Sequence, residues 1–190
     1  ISFGYKLAYE VSDKLSLQLG IVSKEVRFLT KDLFLTDITG FNSSNIVYNP
    51  GVLVRFSTSN INLSGDPGAQ SVSLVQTIGY TEFPLEIRYA LYNKPKLKAN
   101  FIVGLSFLFL EKNEIRSKTG LFSERIASVN NLLDSSLSYN FGLDIDYDLS
   151  KRFVFNAAIM LKKHFNTYSN YNNKTGPFVR GIHAGIGYKF

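Results

Sequence analysis

Apolar and polar residues alternate along much of this chain with the period of two that is typical of β-strands. The last segment shows this most clearly, and its apolar face consists of Phe178, Ile182, Ala184, Ile186, Tyr188 and Phe190, interrupted by Arg180. The opposite face is mostly small or polar and consists of Val179, Gly181, His183, Gly185, Gly187 and Lys189. A strand of this kind fits a sheet whose apolar face is buried in a soluble core, and it fits equally a sheet whose apolar face meets a membrane.

The same division recurs in several long segments, and none of them has a helical period. The segments that we predict as strands are 1–11, 15–28, 73–92, 97–111, 136–149, 152–164 and 178–190. In a soluble protein the apolar faces would point inward and leave Glu86, Arg88, Asp144 and Asp146 on the surface. In a membrane barrel the apolar faces would contact lipid and these charged residues would point into the barrel.

The predicted connections differ strongly in length. Three are tight turns, at 12–14, 93–96 and 148–151, and three are long, at about 29–70, 112–133 and 165–177. Short turns on one side and long loops on the other are typical of transmembrane barrels. We therefore predict an all-β fold, an antiparallel transmembrane β-barrel that forms a single domain over residues 1–190.

The predicted strand count is odd. Single-chain bacterial barrels have an even number of strands, so the segment at Ile1 is expected to be the second of eight strands, with the first upstream of Ile1. The alternative is that an eighth strand lies inside the first long loop, within 46–57.

Composition narrows the class of protein. The 190 residues include no run of the roughly 20 apolar residues that a transmembrane helix needs. There are 16 Phe and 11 Tyr but no Cys, so a disulfide framework is excluded. The net charge is +6, but we interpret the basic residues as dispersed among acidic ones without a basic stripe, so we expect no nucleic-acid partner.

The polar faces of the predicted strands carry charges of both signs. The inward set is Lys6, Glu10, Glu82, Glu86, Arg88, Lys98, Asp144 and Asp146. The interior of an eight-stranded barrel is just wide enough for side chains to fill, so we expect these residues to form a paired network that plugs the lumen. A small transport or diffusion pore is the alternative. Asp144 and Asp146 also permit a metal or acid–base site, but pairing with Lys or Arg is favoured.

Catalysis has little support in the sequence. Only His164 and His183 could act as bases near neutral pH, and neither has a signature that links it to a nucleophile. We expect His183 to face the interior and His164 to lie at the outer rim. No catalytic residue, metal or cofactor is predicted. An outer-membrane enzyme, with rim residues from several strands, is a third possibility.

A family resemblance rests on residues 80–89, whose sequence is Tyr-Thr-Glu-Phe-Pro-Leu-Glu-Ile-Arg-Tyr. This segment resembles Tyr-Leu-Glu-Ile-Pro-Leu-Leu-Leu-Lys-Tyr of the outer-membrane β-barrel (PorT-like) family, and 3–17, 97–110, 137–155 and 185–190 resemble other strands of that family. The family's first strand is not found here, and the first loop is unusually long. The resemblance implies a small eight-stranded barrel. Members are associated with type IX secretion and gliding or carry anti-sigma regions, so it implies a fold more than an activity.

Three further expectations concern partners. The aromatic end, with Tyr188 and Phe190, is expected to be the signal through which the last strand engages the barrel assembly machinery. Outer-membrane lipid is expected to surround the barrel. Both termini are expected to be periplasmic, or the amino terminus to continue from an upstream region. The first long loop mixes aromatic and aliphatic residues with polar ones, including Phe41, Tyr48, Val52, Leu53 and Phe56. Loops of this length are usually functional or disordered, so it is the expected binding surface for an envelope protein. The predicted function is a membrane anchor or interaction subunit of an envelope assembly, secretion-associated or signalling-associated.

Overall fold

A computed structural model of the chain describes residues 2–36, 46–48, 55–57, 71–119, 122–165, 167 and 178–190. Within these residues it is all β and contains no helix. The strands are β1 Ser2–Ser12, β2 Leu15–Thr36, β3 Ile46–Tyr48, β4 Arg55–Ser57, β5 Ser71–Lys94, β6 Leu97–Thr119, β7 Phe122–Val129, β8 Ser135–Asp148, β9 Phe153–Phe165 and β10 Phe178–Tyr188. No helix in the described part of the chain is long and apolar enough to cross a membrane.

The strands form one antiparallel sheet, which confirms the predicted all-β antiparallel fold. Seven strands follow one another in the order β1, β2, β5, β6, β8, β9, β10, while β4 pairs with β2 and β7 pairs with both β3 and β6. In the described residues no pairing joins β1 to β10, so the sheet has two free edges. All eleven residues of β1 are exposed.

Local hydrogen bonds explain two of the predicted tight turns. The Ser12 hydroxyl accepts a hydrogen bond from the Leu15 amide at 3.2 Å, which caps the turn between β1 and β2. The Ser150 hydroxyl accepts hydrogen bonds from the amides of Arg152 and Phe153 at 3.2 and 3.1 Å in the turn between β8 and β9. Serine hydroxyls commonly satisfy turn amides in this way.

Two compact units make up the chain, and each is described by itself. The first contains Glu25–Tyr80 and Leu110–Leu132, and the second contains Ser2–Lys24, Thr81–Phe109 and Leu133–Phe190. The boundary falls within β2, β5 and β6. That the whole chain forms a single domain remains a prediction.

In the first unit the structure corrects the predicted loop at 112–133. Strand β6 runs on to Thr119, and β7 pairs with it in a hairpin. Ile115, Ile126 and Ala127 are buried there, with Leu74 and Val129 packed against them. This small apolar cluster is the physical reason why the segment is strand and not loop.

Charged residues along β6 interrupt the apolar alternation, so the sequence pattern does not indicate a strand there. Lys112 and Arg116 form ion pairs with Glu114 at 3.4 and 3.2 Å. Burial raises the pKa of Glu114, but the hydrogen bonds and positive charges of Arg116 and Lys112 together outweigh burial and hold the pKa below its ordinary value. These ion pairs stabilise the charged residues in the extended conformation of the strand.

In the described residues, the eighth-strand candidate within 46–57 does not join the seven-strand order. Within 46–57, only β3 and β4 are strands, each of three residues, and 49–54 lie outside the described residues. Neither short strand lies in the β1-to-β10 order.

In the second unit the sheet curls around its polar face. The side chains of Glu10 on β1 and Lys98 on β6 meet at 2.9 Å although the strands are three places apart in the sheet. Neighbouring strands are separated by about 4.8 Å, so such a contact requires strong curvature. The enclosed polar face also holds a small apolar cluster of Ile102, Ala158 and Met160.

Candidate functional site

The enclosed polar face of the second unit carries a connected set of charged and amide side chains, here called the lumenal network. Its first part is centred on Arg88 of β5. The Arg88 Nη2 atom lies 2.6 Å from Asp144 Oδ2 and 2.5 Å from Asp146 Oδ2, both on β8. Asn100 donates to Asp144 Oδ1 at 2.6 Å, and Asn156 donates to Asp146 Oδ1 at 2.7 Å. One guanidinium and two amides therefore satisfy the two carboxylates.

The second part is centred on Glu86, whose side chain is fully buried. Lys6 of β1 pairs with Glu86 Oε2 at 2.8 Å, and Asn140 donates to Glu86 Oε1 at 3.0 Å. Asn140 also donates to the Ser106 hydroxyl at 2.6 Å and accepts from the Ser138 hydroxyl at 3.1 Å. The carboxylate thus has a cation on one oxygen and an amide on the other.

The third part joins β5 to β9. Glu82 and Lys162 form a buried ion pair, and both side chains are more than nine-tenths buried. Ser106 also forms a hydrogen bond with Glu82, which links this pair to the Asn140 group, and Lys24 adds a nearby positive charge. The network therefore extends over five strands.

Strand register explains why these residues meet. Lys98 and Asn100 of β6 lie directly opposite Asp146 and Asp144 of β8, and Asp146 lies opposite Asn156 of β9. Because side chains alternate between faces, every second residue of these strands enters the same enclosed space. Strands β5 and β9 are the direct neighbours of β6 and β8 in the sheet, and curvature then brings β1 into contact with them.

All eight charged residues predicted for the lumen take part in ion pairs in the structure. They are Lys6, Glu10, Glu82, Glu86, Arg88, Lys98, Asp144 and Asp146. The sequence analysis missed the uncharged members Asn100, Ser106, Ser138, Asn140 and Asn156, and it missed Lys162. The period of two could have identified all of them, since they occupy the same strand face as the predicted charges.

Neither histidine matches a catalytic arrangement. His164 was expected at the outer rim, but it lies buried on the polar face, because its position on β9 is two residues after Lys162. His183 lies half-buried on the polar face of β10, as predicted. Among the described residues, no hydrogen bond joins either imidazole to a nucleophilic side chain. The described residues also contain no group of three His, Cys, Asp or Glu side chains placed to hold a metal ion.

The opposite face of the second unit is apolar and exposed, and we call it the apolar belt. Its large members include Phe3, Tyr5, Leu7, Tyr9, Leu17, Leu19, Ile21, Phe83, Leu85, Ile87, Tyr89, Phe101, Phe107, Tyr139, Phe141, Leu143, Ile145, Tyr147, Phe155, Ile159, Ile182 and Ile186. A soluble monomer rarely exposes an apolar patch beyond a few hundred Å². The unit thus has polar side chains inside and apolar side chains outside.

The aromatic end of the chain lies on the apolar belt. The Tyr188 ring packs edge to face with Phe153 at 5.5 Å and with Phe190 at 5.3 Å between ring centroids. Of the predicted partner-loop residues, Phe41, Val52 and Leu53 lie outside the described residues. Tyr48 and Phe56 fall in β3 and β4, where the backbone alone is described.

Comparisons of the chain with protein-family models, with curated proteins and with solved structures returned no match. The resemblance to PorT-like barrels therefore stays a prediction.

Proposed function

We propose that this protein is a β-barrel of the bacterial outer membrane that serves as a membrane anchor and interaction subunit of an envelope assembly. The observation that carries the proposal is the inverted second unit, with exposed apolar side chains around buried ion pairs. Burying apolar surface contributes about 25 cal/mol per Å², so water is a costly surrounding for this belt and lipid is a favourable one. The strands of this unit also reach the 9–11 residues needed to cross a bilayer.

The free edges of β1 and β10 support an eighth strand. Successive strands of the seven-strand order run in opposite directions, so β1 and β10 run the same way. One further strand, opposite in direction to both, would pair with each edge and close the sheet. Unpaired backbone groups cost several kcal/mol each in lipid, which favours closure. We assign this role to a strand outside the seven-strand order.

The lumenal network favours an anchor over a pore. It includes the buried side chains Glu82, Glu86, Arg88, Asn140, Asp144 and Lys162, which lie on the face that would line a pore. A small transport or diffusion pore is the alternative function. An interaction role agrees with the resemblance to PorT-like barrels, some of which are associated with type IX secretion.

A matched pair of substitutions tests the membrane assignment. Leu143 and Leu149 are 55% and 57% exposed on the same face, but Leu143 lies in the middle of the belt and Leu149 lies at the turn after β8. In a bilayer, Arg costs about 2–4 kcal/mol at the midplane and about 0–1 kcal/mol near the interface. Leu143→Arg should therefore reduce folding into lipid vesicles, measured by heat-modifiable gel mobility, far more than Leu149→Arg. Equal tolerance of both, with a protein that is monodisperse without detergent, contradicts the proposal.

The interaction role has its own test. Deletion of residues 41–65, within the first long connection, should leave heat-modifiable folding intact because the seven-strand order lies outside it. The same deletion should abolish co-purification with an envelope partner. A shortened protein that keeps every partner contradicts an interaction role for this connection.

A further inference from the structure

The last 40 residues account for the net positive charge of this protein. Residues 151–190 contain seven Lys and Arg and no Asp or Glu, whereas residues 1–150 contain 14 basic and 15 acidic residues. The expected dispersal of basic residues among acidic ones is therefore wrong for this segment. The segment comprises the β8–β9 turn, β9 and β10 with the connection between them.

Two of these seven cations are neutralised by acids from earlier strands. Lys162 pairs with Glu82, and Lys189 pairs with Asp148. Lys163 and Arg180 differ, because they lie exposed on the apolar side of the sheet. Neither forms an ion pair with an acidic side chain in the described parts of the chain.

The register of β9 and β10 brings these two cations close together. Lys163 lies directly opposite Phe178, and Arg180 lies two residues further along β10 on the same face. The Arg180 guanidinium sits over the Phe178 ring, 5.8 Å from its centroid, within the range of a cation–π contact. The other neighbour of Lys163 across the sheet is the uncharged Tyr139. Both cations therefore flank one aromatic ring at the end of the hairpin where the β9–β10 connection begins.

Apolar side chains continue directly from this cationic pair. Ile159 and Ile182 are opposite each other on the same face, four residues before Lys163 on β9 and two residues after Arg180 on β10. Both are exposed. A ligand that lies along this surface meets two positive charges at one end and aliphatic side chains along the rest.

We propose that Lys163 and Arg180 bind the phosphate of an anionic membrane lipid, whose acyl chain lies over Ile159 and Ile182. This inference rests on the proposed membrane location. A guanidinium binds phosphate through paired hydrogen bonds, and an ammonium adds a point charge. A soluble anion gains nothing from the aliphatic surface, and an acidic protein surface does not match a belt that faces acyl chains. The structure therefore favours a lipid headgroup over both.

Lipid titration of the intact protein, followed by native mass spectrometry in detergent, tests this site. The probes are lipid A, which carries phosphates, and phosphatidylcholine, which is zwitterionic. Each cation near an anionic surface contributes about 1 kcal/mol, so Lys163→Gln with Arg180→Gln should weaken lipid A binding roughly 30-fold and leave phosphatidylcholine binding unchanged. Lys163→Arg with Arg180→Lys should retain most of the affinity.

A matched control removes the same charge elsewhere. Lys31 and Lys118 are exposed on β2 and β6, in the first unit, so Lys31→Gln with Lys118→Gln should bind lipid A like the unchanged protein. Equal loss in both double variants, or equal affinity of the Lys163/Arg180 variant and the unchanged protein, overturns the site. Displacement of lipid A by inorganic phosphate at comparable concentration also overturns it, because a soluble anion would then be the ligand. A protein that binds neither lipid and needs no detergent refutes the proposed function itself.

Discussion

At the scale of single residues, buried charges are the most demanding feature of this protein. Asp144 and Asp146 are two residues apart on one strand and share the guanidinium of Arg88. A buried carboxylate without a partner costs far more than a paired one. The stability of the polar interior therefore depends on which charges remain after a change, and less on how many.

Removal of Arg88 tests this dependence. Arg88→Met leaves two carboxylates without their cation, so the free energy of unfolding should fall by about 3–5 kcal/mol. Adding Asp144→Asn and Asp146→Asn to Arg88→Met should recover most of that loss, because no charge is then left unpaired. Denaturant titration in lipid vesicles measures both variants. A triple variant as unstable as the single one would show that packing, not charge, is what Arg88 contributes.

At this scale, the sequence predicts the strand face on which a side chain lies better than it predicts the residue that the side chain contacts. The period of two places Lys162 on the same face as Asn156, but it does not identify the residue that Lys162 contacts. In the structure it is buried against Glu82, which is 80 residues away in the chain. Sheet curvature decides that contact, and no local pattern encodes curvature.

At the scale of elements, alternation predicted the seven strands of the sheet order well and their ends poorly. Strands β2 and β6 run beyond the predicted ends at Phe28 and Glu111, to Thr36 and Thr119. Charged residues such as Lys112 and Glu114 interrupt the apolar pattern there. Hairpin β6–β7 also depends on tertiary contacts, which include hydrogen bonds from one side chain to the backbone of the opposite strand.

Asn113 is that side chain, and its removal gives a prediction for the hairpin. Its Nδ2 donates to the Val129 carbonyl at 2.6 Å, and its Oδ1 accepts from the Val129 amide at 3.0 Å. Asn113→Ala leaves both backbone groups without these bonds, and because the bonds are only partly buried the cost should lie toward the lower end of about 1–3 kcal/mol. Hydrogen exchange should show faster opening of β7 amides.

Asn93 supplies the control for this experiment. It makes one exposed bond, to the Asp13 carbonyl at 3.2 Å, near the turn that ends β5. Asn93→Ala should leave exchange in β7 unchanged. If Asn113→Ala also leaves it unchanged, the apolar cluster around Ile115 holds the hairpin without help from the amide.

At the scale of the whole molecule, the inverted arrangement of polar and apolar side chains in the second unit predicts how the protein would behave in a bilayer. In the proposed barrel, the buried side chains of Glu82, Glu86, Arg88, Asp144 and Lys162 would fill the lumen and leave no continuous path for ions. Planar bilayers that contain the purified protein should therefore show no steady conductance, with a conducting porin reconstituted in parallel as the control. Reproducible channels whose ion selectivity changes in Asp144→Asn would establish the pore as the better function.

The lumenal network also bears on how this chain reaches its native state. Lys6–Glu86, Glu82–Lys162 and Glu10–Lys98 join residues separated by 80, 80 and 88 positions. Contacts of such long sequence separation are slow to form, since the loops between them must close first. These ion pairs can assemble only after most of the sheet has come together. Until then the chain exposes aromatic segments and unpaired charges together, so we expect folding to compete with aggregation.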